Sequence, residues 1–92
     1  MSKWLASGTR RDICILLYGE EMPAQKLKSA LQDRYDRRID PEQFRAALRA
    51  LEDTGHVEKR VDGLADVFSL SEAGRRGVER QYEWFEQRVG GE

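Results

Sequence analysis

The chain predicts a mainly α fold with a small β-hairpin, its elements running helix, helix, helix, hairpin, helix. Three observations carry this prediction. Apolar residues recur at helical spacing, most clearly Phe44, Ala47, Leu48 and Leu51 at i, i+3, i+4 and i+7, which gathers them into one stripe. Asp62-Gly63 stands between the runs His56 to Val61 and Leu64 to Leu70, and this dipeptide favours the positive backbone angles of a two-residue type I′ turn. Capping and breaking residues (Thr9, Pro23, Asp40-Pro41 and Ser71 at starts, Gly19, Gly55 and Gly90 at ends) punctuate the helices at those boundaries.

Size and composition exclude several classes. Ninety-two residues suffice for one domain and are too few for two, and a chain of this size buries so limited a core that a partner subunit would help it. Charged residues make up 36% of the chain, yet the net charge is −1, so overall charge does not by itself mark a nucleic-acid binder. One Cys excludes an intramolecular disulfide framework, and one Cys with one His excludes the usual four-ligand zinc site. No carboxylate pair, nucleophile with its base, or Gly-rich phosphate loop stands in a plausible site, so neither enzyme activity, a metal nor a cofactor is expected. No segment approaches the ~20 apolar residues that cross a bilayer, and the start has no apolar run of signal-peptide length, so a cytoplasmic protein without a membrane partner is expected.

Trp4 and Leu5 are read as lying along a neighbouring surface. Thr9 with Asp12 makes a serviceable capping box for a first helix from about Arg10 to Tyr18, ending at Gly19. Ile13, Leu16 and Leu17 form its main stripe, but Cys14, Ile15 and Tyr18 leave hardly any polar side, so it should be covered on more than one face, a second subunit supplying some of the cover. Glu20 to Met22 read as a connector, and Pro23 fits the first turn of a second helix that buries Leu27, Ala30, Leu31 and Tyr35. The link from Asp33 to Asp40 is too charged to be buried.

Asp40 can accept hydrogen bonds from a first turn and Pro41 is preset for position one, so a third helix starts there and stops at Gly55. Opposite its apolar stripe lie Glu42, Ala46, Arg49 and Asp53, with Gln43 and Arg45 on the flanks. In the hairpin, pairing Val61 with Leu64 puts Val57 opposite Phe68 and Lys59 opposite Asp66, an apolar pair and an ion pair. Ser71 caps a last helix from Glu72 to about Val89. It carries two apolar stripes, Gly74, Val78, Tyr82, Phe85 and Val89 on one side and Ala73, Gly77 and Trp84 about 120° round, which implies two packing partners, the domain's body and a second copy.

This order is that of a winged helix-turn-helix with an added C-terminal dimerisation helix. Two motifs, Leu51-Glu52-Asp53-Thr54-Gly55-His56-Val57-Glu58 and Leu70-Ser71-Glu72-Ala73-Gly74, resemble the PadR-type transcriptional regulators and, more loosely, the MarR-type ones. The resemblance spans roughly residues 10 to 89 and implies a single winged-helix domain over 1–92, with its core in 10–70 and the dimerisation helix in 71–89. It further implies a homodimeric, sequence-specific regulator, a repressor on a pseudo-palindromic operator in double-stranded DNA. Its third helix enters the major groove and its wing touches phosphate or minor groove. Carried onto this chain, Gln43, Arg45 and Arg49 face the groove, Arg37 and Arg38 stand at the helix entrance, and Lys59 and Arg60 belong to the wing. Dimerisation falls to Val78, Tyr82, Trp84, Phe85 and Val89. No site for a small-molecule effector is legible.

Each signal has an ordinary counterpart. Arg45 and Arg49 could be solvated charges, Arg49 pairing with Asp53 or Glu52, and Lys59 could be held by Asp66. Cys14 reads as a small buried hydrophobe rather than a sensor, and His56 as a surface or capping residue. Trp4, Tyr82, Trp84 and Phe85 read as packing before ligand contacts. Near-neutral charge and the outward acids Glu42 and Asp53 keep open a rival, a winged-helix module that binds protein without DNA.

Overall fold

In the computed structural model the described residues are 8–36 and 38–89, with side chains up to residue 83. The expectations for Trp4, Leu5 and Arg37 lie outside them. Among the described residues four helices and three strands follow in the order α1 (Gly8–Leu17), β1 (Met22–Pro23), α2 (Ala24–Tyr35), α3 (Pro41–Asp53), β2 (Val57–Asp62), β3 (Ala65–Leu70) and α4 (Glu72–Val89). This is the winged helix-turn-helix architecture, with a sheet one strand larger than the predicted hairpin.

The first helix is the centre of the molecule: it packs against α2, α3, α4 and β3. That accounts for Ile13, Cys14 and Leu17, which are buried by the chain's own elements, whereas Ile15 and Tyr18 stay exposed. Leu27 and Leu31 from α2, Phe44, Leu48 and Leu51 from α3, and Met22, Val57 and Phe68 from the sheet complete one core. Ile39 joins it, so the charged link before α3 is anchored by one buried residue, and its amide donates to Gln32 Oε1 at 3.1 Å.

Thr9 is not the cap of α1, which starts at Gly8 and ends at Leu17 rather than running from Arg10 to Tyr18. Asp12 does something else. It is 5% exposed, accepts a short hydrogen bond from the Tyr35 hydroxyl, and lies 3.8 Å from Arg11 Nε and 3.6 Å from Arg34 Nε. A buried carboxylate needs such partners, and these tie α1 to α2. Burial and the Asp12 hydrogen bond both raise the Tyr35 phenol above its ordinary pKa. Tyr35→Phe keeps the ring and removes the donor, so urea unfolding should show a loss of about 1.5 to 3 kcal/mol, the scale of one hydrogen bond to a charged group.

The connector Glu20 to Met22 is also corrected. Met22 and Pro23 pair antiparallel with Phe68 and Val67, giving the order β1-β3-β2. Two residues ending in Pro carry no periodicity from which to read a strand, and Pro is tolerated because β1 is an edge.

The hairpin register is two residues away from the expected one. Asp62 pairs with Ala65 and Val57 with Leu70, so Lys59 faces Phe68, Asp66 faces Val61, and neither the Val57–Phe68 nor the Lys59–Asp66 pair forms. The turn is therefore Gly63-Leu64. Only Gly63, at φ 64°, has a positive φ in it, which is the type II′ pattern with Gly first rather than the type I′ pattern over Asp62-Gly63. A slip of two keeps every side chain on its face, so hydrophobic alternation could not have distinguished the registers.

Candidate nucleic-acid interface

Asp40 accepts from the Glu42 amide at 3.2 Å and Pro41 occupies the first turn, so α3 begins where its sequence directs. Its end is a Schellman motif: the Gly55 amide bonds to the Glu52 carbonyl at 3.0 Å, the His56 amide to that of Leu51 at 2.9 Å, and Gly55 takes φ 79°. With Phe44, Leu48 and Leu51 buried, the opposite face presents Glu42, Gln43, Arg45, Ala46, Arg49 and Asp53 to solvent.

Arg45 and Arg49 are one turn apart on that face. Among the described residues neither forms an ion pair, and neither Glu42, Glu52 nor Asp53 reaches them. Like charges at i, i+4 cost a helix roughly 0.2–0.5 kcal/mol, which a polyanion would relieve. Arg38 is exposed at the entrance to α3 and likewise has no ion pair among the described residues.

From Glu58 to Asp66 every wing residue is exposed, so this part of the hairpin stands off the body. Lys59 has no ion pair among the described residues, whereas Arg60 is engaged: its Nη2 lies 2.6 Å from Glu21 Oε1 and its Nη1 3.6 Å from Asp62 Oδ2. Glu21 is distant in sequence and carried no signal of this contact. The bridge ties the wing to the segment before β1, and leaves Lys59 as the wing cation without an ion pair among the described residues.

On α4, Gly74 and Gly77 are buried, Val78 packs on the chain's own core and Tyr82 is 63% exposed. The side chains of Trp84, Phe85 and Val89 lie outside the described residues. Between α1 and α4 runs a cleft of about 890 Å³, walled by Ile15, Tyr18, Val78 and Tyr82 with Arg11, Arg34, Glu79 and Glu83 around them. Tyr18 crosses it, donating to Glu79 Oε2 at 2.6 Å, and that bond is the main cause of its raised pKa. Cys14 is fully buried and burial pushes its thiol up to about 12, so it carries no thiolate near neutral pH. Among the described residues no group of His, Cys, Asp and Glu could hold a metal ion, and no helix is long and apolar enough to cross a membrane.

This fold has counterparts among solved structures. RosR of H. salinarum superposes with a TM-score of 0.85 at 22% identity, over 89% of this chain and 76% of that one. The homodimeric winged helix-turn-helix DNA-binding domain from Mycobacterium bovis, described as a possible ArsR-family transcriptional regulator, gives 0.81 at 23% identity over 98% and 79%. HlyU from Vibrio cholerae gives 0.75 at 20% identity over 90% and 85%. At such identities the shared property is the winged helix-turn-helix fold. No protein-family model matches the chain, and no curated protein matches it by sequence.

Proposed function

We propose that this chain is a DNA-binding transcriptional regulator that acts as a homodimer, with α3 in the major groove. The observation that carries the reading is the solvent-facing row Gln43, Arg45 and Arg49, whose cations have no ion pair among the described residues. Gln and Arg at that spacing suit base edges: Arg grips guanine O6 and N7, and Gln grips adenine. Small Ala46 between them allows close approach. Arg38 and Lys59, with Arg37 by its place in the sequence, are assigned to phosphates, where they fix register without reading bases.

The dimer is assigned to α4 and the adjoining cleft, through Tyr82 and, by their place in the sequence, Trp84, Phe85 and Val89, while Val78 serves the protomer's own core. Its support is exposed aromatic area at Tyr82 and the homodimeric description of the M. bovis domain. A pseudo-palindromic operator follows from a two-fold dimer. Repression, a cytoplasmic site of action and a place among PadR- or MarR-type regulators rest on the Leu51–Glu58 and Leu70–Gly74 motifs. The lack of any catalytic constellation in the sequence supports a role without enzyme activity.

Fluorescence anisotropy against duplexes selected by the chain from a randomised pool tests the reading, with sedimentation of the purified chain for the dimer. Affinity that falls steeply with salt is expected, because each phosphate neutralised releases counterions. No binding at low salt would remove the regulator reading and favour a protein-binding winged helix. One observation favours that second reading: Glu58, Asp62 and Asp66 outnumber Lys59 and Arg60 in the exposed wing, and Arg60 is already engaged. Glu21→Ala separates the two. It releases Arg60 from its shorter contact, so in a DNA binder affinity should rise and the slope of log K against log salt should steepen by about 0.9.

A further inference from the structure

We infer that Ser71, seated on the backbone of Gly55 and His56, is a positioning residue that sets the half-site spacing the dimer accepts. This deepens the proposed function and rests on it. The Schellman bonds make Gly55 and His56 a rigid extension of α3, and the carbonyls of these two residues hold the start of α4. Ser71 Oγ donates to the Gly55 carbonyl at 2.5 Å and the Ser71 amide donates to the His56 carbonyl at 3.0 Å. The same hydroxyl oxygen accepts from the Gly74 amide at 3.0 Å, and the Ser71 carbonyl accepts from the Arg75 amide at 2.9 Å.

An unbroken series of hydrogen bonds thus leads from the last turn of α3 into the first turn of α4, bypassing the strands and wing between them. Its members are backbone groups and one short hydroxyl, with no long side chain to give slack. Gly74 closes the contact: a Cβ there would stand 2.0 Å from the His56 carbonyl oxygen, so the two helix ends meet at a distance open only to glycine. A rotation of α4 in the dimer is therefore carried into α3. Moving a half-site by one base pair rotates it by about 35° about the DNA axis, since a turn takes 10–10.5 base pairs. A dimer whose reading helices are fixed to their dimerisation helices cannot follow that rotation. One in which the Ser71 hydroxyl no longer holds the Gly55 carbonyl follows it more readily.

The test uses the full chain and an operator selected by it from a randomised duplex pool, remade with its half-sites one base pair closer or farther. Ser71→Ala removes the hydroxyl and Ser71→Thr restores it. The inference expects Ser71→Ala to remain folded and dimeric, to keep its affinity for an isolated half-site, and to lose about fivefold in discrimination between spacings, the worth of one capping hydrogen bond. Ser71→Thr should regain it. Unchanged spacing discrimination in Ser71→Ala would overturn the inference and leave the regulator reading intact. So would a uniform loss on every operator in step with lost thermal stability, which is what a purely structural role produces. A wild-type chain that is monomeric or binds no duplex would remove the regulator reading and this inference with it.

Discussion

Gly74→Ala is expected to lower the unfolding free energy by about 2–3 kcal/mol and Tm by roughly 10–20 °C. Two effects oppose each other. In an open helical position Ala gains about 1 kcal/mol over Gly. Here its methyl would stand 2.0 Å from the His56 carbonyl oxygen, with the Leu70 Cδ2 at 2.9 Å. The first of these neighbours is backbone, fixed by the Schellman end of α3 and by the Ser71 amide that it accepts, so it cannot swing aside as a side chain could. Relief requires α4 to lift, which stretches the Ser71–Gly55 bond and parts α4 from α1 and β3, against which it packs. Overpacking against fixed atoms outweighs the gain in propensity. Thermal unfolding followed by circular dichroism measures it, and a variant as stable as the parent would mean that α4 is not held against His56.

The double variant Arg45→Ala, Arg49→Ala is expected to lose at least about thirtyfold in affinity for the selected operator. A bidentate guanine contact is worth about 1–3 kcal/mol, so each Arg alone should cost roughly fivefold or more. One turn apart, the two need not be additive. Both are exposed and without an ion pair among the described residues, so neither removal opens the core, and the melting temperature should hold within a few degrees. The salt slope decides the mode of contact. Loss confined to the selected operator marks base reading, whereas equal loss on all duplexes with a slope shallower by about 0.9 per residue marks phosphate contact. Retained affinity would take α3 out of the reading role altogether.

The amino-acid sequence settled those features that local chemistry enforces. Asp40-Pro41 and the Gly55 stop bound α3 as read, because a cap, a preset φ and a positive-φ site act within a few residues. The stripe Phe44, Leu48 and Leu51 named the buried side and, by elimination, the face bearing Gln43, Arg45 and Arg49. Ser71 as a cap was legible for the same reason. What was missed depends on residues that meet only in the folded chain. Asp12 looked like a capping acid and is a buried partner of Tyr35 and Arg34; Arg60 looked like a wing cation and is bound to Glu21. Met22-Pro23 gained a strand only because β3 lies beside it. The hairpin register stayed ambiguous because a two-residue slip leaves both faces intact.

By itself, then, the sequence determined that these helices form and, for the third, where it starts and stops and which side it buries, since these follow from periodicity and from end groups a few bonds away. Only the tertiary structure decided which charges remain unshared and how the third helix is joined to the fourth, since ion pairing and close backbone approach are set by distances between segments that sequence separation does not encode.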